Sequence, residues 1–305
     1  MLTSGLSQDE GQNGRKHCNL PVHTLKVASL IRGMFSVFDM FNDLKDVILL
    51  IKGNFLLDAL TIGGLGVLCV PVEFILKGNH RLFRLDDPSI QFPMTEHERV
   101  PNLALVVIAG ILPMVAIVLL SWRRKHTVQH ILIAVMAFVM AMVVNLFITG
   151  LVKLWIGNTR PDLISRCMPA TGTPLHEYVS VEVCTNTKKS VLSDGFRSTP
   201  SGHSSNSFCG LGFLSLWTSG QFGLWRSGAS VYKILIGGFP LVVALYVAVS
   251  RIADYRHHWF DVLLGSCFGF TVAYFTYFHY YPSVQSPQSY VPLAVIESNE
   301  SDDVV

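Results

Sequence analysis

Two histidines and three basic residues fall in three short polar clusters, each at the edge of an apolar run. The first cluster is Lys153, six residues, Arg160-Pro161. The second is Pro200-Ser201-Gly202-His203. The third is Ser250-Arg251, five residues, His257, three residues, Asp261. Lys153, Arg160 and Arg251 offer permanent positive charge, and the arginine fork binds two phosphate oxygens at once. Pro200-Ser201-Gly202 reads as the opening of a helix, where free backbone N–H groups and the helix dipole attract an anion. Gly202 lets the backbone approach closely. His257 and Asp261, four apart, face the same way on a helical turn. A carboxylate bonded to one ring nitrogen orients an imidazole and sharpens the other nitrogen as a nucleophile. His203 is then a candidate acid for a leaving group. This is phosphoryl-transfer chemistry.

Taken singly, each cluster has a plainer explanation. Lys153 reads as a snorkelling membrane-edge lysine, Arg160-Pro161 as a helix stop, Pro200 to His203 as a loop cap, and His257-His258 as an interfacial pair. Taken together, these explanations require independent accidents to gather three cations and two histidines. Ionisable groups in or beside membrane spans are costly and usually functional.

The elements that must position these residues are apolar helices. Half of the 305 residues are hydrophobic and 14% are charged, against about 25% charged in a typical soluble domain. Apolar stretches of about 20 residues match the thickness of a bilayer. Six spans are expected, at Ala59–Leu76, Leu103–Trp122, Ile131–Val152, Asn206–Trp225, Ile234–Val249 and Val262–Tyr281. The fourth is the weakest, rich in Gly, Ser and Phe, although small residues suit closely packed membrane helices. The expected fold is all-α, a six-span bundle with its site at one membrane face. An even number of crossings separates the clusters, so all three fall on the same side. Arg123-Arg124-Lys125, Arg226 and Lys233 fall on the other, which the positive-inside rule makes cytoplasmic.

The expected organisation has three parts. Residues 1–54 form a cytoplasmic segment with an interfacial helix over Leu25–Ile51, residues 55–282 the six-span domain, and residues 283–305 a disordered cytoplasmic tail. Met1–Leu20 is polar, so no cleaved signal peptide is expected. A net charge of +2 without a basic run excludes a nucleic-acid partner. Six cysteines without a CxxC pair exclude a zinc site. Cys167 and Cys184 share the loop after Arg160; on a lumenal or outer face they are either bonded or two free thiols.

At these residues the chain resembles the type-2 phosphatidic acid phosphatase superfamily, the lipid phosphate phosphatases. All three motifs occur in order and with full spacing, over about Leu56 to Pro282. Arg160-Pro161-Asp162 with Arg166-Cys167, and Asp254-Tyr255-Arg256-His257-His258, look closest to the fungal diacylglycerol pyrophosphate phosphatase branch. The resemblance implies His257 as the nucleophile forming a phosphohistidine, Asp261 as its orienting carboxylate and His203 as the acid. It implies Lys153, Arg160, Ser201, Gly202 and Arg251 as the phosphate-binding set, with no metal and no cofactor. His258 lies outside the pattern and is given no catalytic role. The expected substrates are phosphatidate, diacylglycerol pyrophosphate and lysophosphatidate, in an internal membrane (endoplasmic reticulum, Golgi or vacuole), with the site facing the lumen or exterior. Two other functions compete: head-group transfer to a lipid alcohol, and silent binding of lipid phosphates. Inactive binders would be expected to have lost His257 or His203. The preferred lipid and the oligomeric state are left open.

Overall fold

A computed structural model describes residues 55–302, and the expected interfacial helix over Leu25–Ile51 lies outside them. Among the described residues the chain is helical, with only isolated β-bridges. In chain order the helices are α1 (Phe55–Phe74), α2 (Asn102–Arg123), α3 (Val128–Ile156), the short α4 (Leu163–Cys167) and α5 (Lys189–Asp194), α6 (Gly202–Phe222), α7 (Val231–Ala253), α8 (Trp259–Tyr280) and α9 (Leu293–Asp302).

Among these, α2, α3, α7 and α8 are long and apolar enough to cross a membrane. The sequence led us to expect six spans, so α1 and α6 need separate accounts. In α1 the stretch Phe55–Cys69 is apolar but short. Helix α6 is long, but it carries Ser204, Ser205, Ser207, Ser215 and Ser219, all buried. It packs against α2, α3, α7 and α8 at the centre of the bundle. There three of these hydroxyls find carbonyls: Ser205 Oγ donates to Gly202 O at 3.3 Å, Ser207 Oγ to Ser204 O at 3.1 Å, and Ser215 Oγ to Gly237 O on α7, while Ser204 Oγ and Ser219 Oγ have no hydrogen-bond partner among the described residues. Such back-bonding satisfies polar groups without water. Its low hydropathy reflects burial in protein rather than exposure to solvent.

Glycine permits this packing. A Cβ at Gly269 of α8 would lie 2.0 Å from Ser205 O, and one at Gly265 would lie 2.6 Å from Ser201 O. On the opposite flank, a Cβ at Gly210 would lie 1.9 Å from Ala109 O. Ala109 sits in a π-helical turn, Val107–Ile111, inside α2. Pro113, four residues on, has no N–H to offer that carbonyl, which is a physical reason for the wider turn. The core between these helices is aromatic, with Phe138, Phe213, Trp217, Tyr277 and Tyr281 buried together.

Loops build a second, smaller core at the end of the bundle where α3 finishes and α6 begins. Phe83, Ile90, Leu163, Cys167 and Phe196 are buried there, and a Cys167–Cys184 disulfide closes the loop behind α4. Gly157 ends α3 with φ +60°, and a side chain there would strike Asn79 O at 2.1 Å. Only glycine meets both demands.

The tail corrects our expectation of disorder after Pro282. Arg226 donates to Ser286 O at 3.1 Å and Pro287 O at 3.0 Å, Ser289 Oγ to Gly220 O at 2.7 Å, and Gln221 to Tyr290 O at 3.1 Å. Helix α9 follows. The segment lacks periodicity because hydrogen bonds near the end of α6 and isolated apolar contacts, Val284 and Val295 against the bundle core, hold it rather than a continuous stripe.

The contact of α6 with α8 yields the first prediction. Gly269→Val should destabilise the protein by about 1–3 kcal/mol through overpacking, read as a lower melting temperature in detergent. An unchanged melting temperature would contradict the close approach.

Candidate active site

Four helix ends meet at one cavity of about 300 Å³, whose walls include Lys153, Arg160, Gly202, His203, Arg251 and His257. These residues come from all three sequence clusters. Lys153 lies in the last turn of α3, where its ammonium donates to Arg197 O at 2.9 Å. His203 stands in the first turn of α6 and Arg251 in the last turn of α7. His257 occupies the tight turn between α7 and α8, where Tyr255 has φ +53°. Asp261 is in the first turn of α8.

The cations are buried and individually compensated. Arg160 donates to Asp194 Oδ1 at 2.7 Å, yet its Nε finds no hydrogen-bond partner among the described residues. A buried donor left unmade is costly. Arg251 donates from Nε to Ser250 Oγ at 3.1 Å, from one terminal nitrogen to Asp254 Oδ2 at 3.1 Å and from the other to Glu98 Oε2 at 2.8 Å. Burial alone would raise the Asp194 carboxyl, but Arg160, Arg166 and Arg256 together pull it down to about 2. It is therefore a fixed negative charge at neutral pH.

Both histidines face the cavity, and each has one ring nitrogen held by the protein. His203 Nε2 lies 3.1 Å from Val100 O, a carbonyl, so that nitrogen must carry the proton. His257 Nδ1 lies 3.4 Å from Ser198 Oγ. The Ser198 hydroxyl donates to Asp261 Oδ2 at 2.6 Å, so its lone pair is what faces His257. The carboxylate thus reaches the imidazole through a hydroxyl, where the sequence suggested direct contact. Asp261 is fully engaged, accepting also from Thr199 Oγ1, from the His258 backbone N–H at 3.0 Å, and facing His258 Nδ1 at 3.2 Å. This network fixes the tautomer of His257 with its proton on Nδ1 and leaves the Nε2 lone pair for the cavity. Burial, and then the positive charge of Arg160 and Lys153, hold this imidazole well below its ordinary 6.5.

One residue of the expected phosphate set sits differently. The Ser201 side chain is buried and caps α6, accepting from Ser204 N–H at 3.5 Å, while Gly202 lines the cavity. Sequence reasoning also missed several neighbours. Arg197, Arg256 and Asp194 line the cavity, and Ser198 bridges Asp261 to His257. Arg256 was treated as part of a five-residue spacer, although its place directly before His257 was a usable signal. His258, given no catalytic role, caps α8 and supports Asp261. Among the described residues, no three His, Cys, Asp or Glu side chains gather as a metal site.

Comparison with known proteins bears on this arrangement. A family model described as the PAP2 superfamily matches residues 134–284, a range that contains all three clusters. Diacylglycerol pyrophosphate phosphatase 1 of Saccharomyces cerevisiae is 36% identical over 217 residues, 70% of this chain and 75% of its own. Probable diacylglycerol pyrophosphate phosphatase 1 of Schizosaccharomyces pombe is 37% identical over 204 residues, covering 66% and 72%. Lipid phosphate phosphatase 2 of Arabidopsis thaliana is 35% identical over 209 residues, covering 68% and 71%. No solved structure matches. The fold, the cavity and these similarities define the class: a helical phosphatase with membrane-length apolar helices. The chain belongs to the PAP2 superfamily.

The hydrogen-bond network and the electrostatics each generate a prediction. Ser198→Ala removes the bridge that orients the His257 ring in the cavity, so kcat should fall about ten- to a hundredfold with KM little changed. Equal kcat in variant and parent would remove Ser198 from the account. For pH, the imidazolium of His257 is disfavoured, so the neutral, lone-pair form persists into acid. The acid limb of kcat/KM should therefore have its midpoint below pH 6.5. A midpoint at or above that value would contradict the reading.

Proposed function

We propose that this protein hydrolyses phosphate from membrane lipid phosphates (phosphatidate, diacylglycerol pyrophosphate and lysophosphatidate) through a phosphohistidine on His257, without a metal ion. The observation that supports this best is the convergence of both histidines and the three motif cations on one cavity. The names of the relatives point to the same substrates.

In the proposed reaction, the lipid's phosphoryl group enters the cavity against Lys153, Arg160 and Arg251, with the N–H groups that open α6 at Gly202 nearby. His257 Nε2 attacks phosphorus, and a bond forms between them as the bond to the leaving oxygen breaks. The departing alcohol or phosphate oxygen takes the electron pair and accepts a proton from His203. Val100 O holds the Nε2 proton of His203, so the proton delivered is a second one on Nδ1: the ring acts as an imidazolium, charged beside the bound phosphate anion, and is neutral once the leaving oxygen has taken that proton. Water then attacks phosphorus, gives its proton to His203 and releases phosphate and neutral His257. The fixed cations stabilise the equatorial oxygens throughout, a role filled partly by magnesium in kinases.

The same reading supplies a topology. Six spans, α1 and α6 included, would place both termini in the cytoplasm and the cavity on the lumenal or outer face of an internal membrane. Lipid acyl chains would stay in the bilayer while the headgroup enters from its surface. The oxidised Cys167–Cys184 pair fits such a face.

Membranes carrying the protein should release phosphate from phosphatidate in excess EDTA. His257→Ala should lower that rate by about a thousandfold or more, as loss of a nucleophile does. Strict dependence on magnesium, or a fully active His257→Ala variant, would overturn the mechanism.

A further inference from the structure

The stretch from Thr95 to Val100 is a loop strap that precedes α2 and is tied to the site along its length. Thr95 Oγ1 donates to Asp254 O at 2.8 Å, Arg99 N–H to Asp254 Oδ2 at 2.9 Å, and Val100 O meets His203. Between these ties, Glu98 places Oε2 2.8 Å from Arg251 and Oε1 3.3 Å from Arg256. One carboxylate therefore spans two arginines that border the cavity, as two oxygens of a phosphate would.

The other carboxylates on these arginines cannot leave. The Asp254 side chain is fully buried and held by Arg99 as well as Arg251. Asp162 is gripped by two nitrogens of Arg166, both at 2.8 Å. Asp194 is held by Arg160 and Arg166. Among the described residues, Glu98 is bonded through its carboxylate only to Arg251 and Arg256. Its side chain keeps 21% of its surface exposed, against 0% for Asp254. With Glu98 in place, all three nitrogens of Arg251 have partners. Three of the five N–H donors of Arg251 are thereby used, two of them on carboxylates; Glu98 is the exposed carboxylate, and its place across Arg251 and Arg256 is the one that two oxygens of a phosphoryl group can take over.

We propose that Glu98 is an internal stand-in for the substrate's phosphoryl group: it bridges Arg251 and Arg256 in the empty site, and the incoming phosphate displaces it from both. Arg256 then joins the phosphate-binding set, and Glu98 tunes the affinity for phosphate. Buried cations left without a counter-anion are costly, so a displaceable carboxylate keeps the empty site stable while limiting the affinity for product. The inference rests on the phosphate site proposed above.

The test compares the full-length parent with Glu98→Gln and Glu98→Asp in detergent. Binding of inorganic phosphate is measured by calorimetry, and KM for phosphatidate in mixed micelles. Glu98→Gln should bind inorganic phosphate about tenfold more tightly, the scale of one lost competing charged contact, and KM should fall with it. Glu98→Asp, which keeps the charge but shortens the reach, should shift both in the same direction by less, and it carries the test if the glutamine variant does not fold. A residue that only held the strap in place would weaken phosphate binding when replaced. Unchanged or weaker binding in the variants overturns the proposal. Because calorimetry needs no turnover, tighter phosphate binding in a chain that fails to hydrolyse phosphatidate would support the role of Glu98 and overturn the function instead.

Discussion

Helix α6 can lie against α8 only because Gly265 and Gly269 carry no side chain where Ser201 and Ser205 present their backbone. The Ser201 N–H reaches Asp261 O at 3.0 Å across this contact. The segment Ser198 to His203 is thereby pressed against the turn that carries His257 and Asp261. Ser198 can then bridge the carboxylate and the imidazole, and His203 opens onto the same cavity. A wider helix spacing would separate the two motifs and leave the Asp261 carboxylate buried without its hydroxyl donors, at the cost of stranding a charge in an apolar setting.

The second constraint is electrostatic. A cavity for phosphate needs several cations close together, and such cations repel one another. The protein answers with carboxylates placed mostly behind them. Asp162 and Asp194 hold Arg166, Asp194 also holds Arg160, and Asp254 holds Arg251. The loops around the Cys167–Cys184 bridge carry both residues of the Arg160–Asp194 pair, and Arg160 N–H donates to Gly195 O at 2.8 Å. The same positive field, together with burial, keeps His257 neutral. A neutral imidazole with its Nε2 lone pair free, and a group of cations that stay charged, are two consequences of one arrangement.

Much of this was legible in the residues. The three clusters, their common end of the bundle and the four longest apolar helices follow from spacing and hydropathy, since both are local properties of the chain. What was not legible depended on contacts between distant segments. The role of Ser198 required knowing that the loop before α6 crosses α8. Glu98 sits in a strap fixed by bonds to Asp254 and His203, and Asp194 ends a short helix beside the small core around Phe83, Leu163 and Phe196. The hydroxyls of α6 lowered its apparent suitability as a bundle helix because hydropathy cannot see that α7 and α6 itself supply acceptors to Ser205, Ser207 and Ser215. The tail after Pro282 was misjudged for the same reason: Arg226, Gly220 and Gln221 hold it through backbone carbonyls and a single serine, which leave no pattern in its own sequence.

The central claim is that the three motifs form one phosphate site with His257 as the attacking group. Rapid quenching of the protein with phosphatidate carrying a radiolabelled phosphate, followed by peptide mapping, tests it most directly. The account predicts an acid-labile, base-stable phosphoryl group on the peptide containing His257. It predicts that label to decay as free phosphate appears. Label on another residue, or rapid turnover with no labelled protein at any quench time, would contradict it.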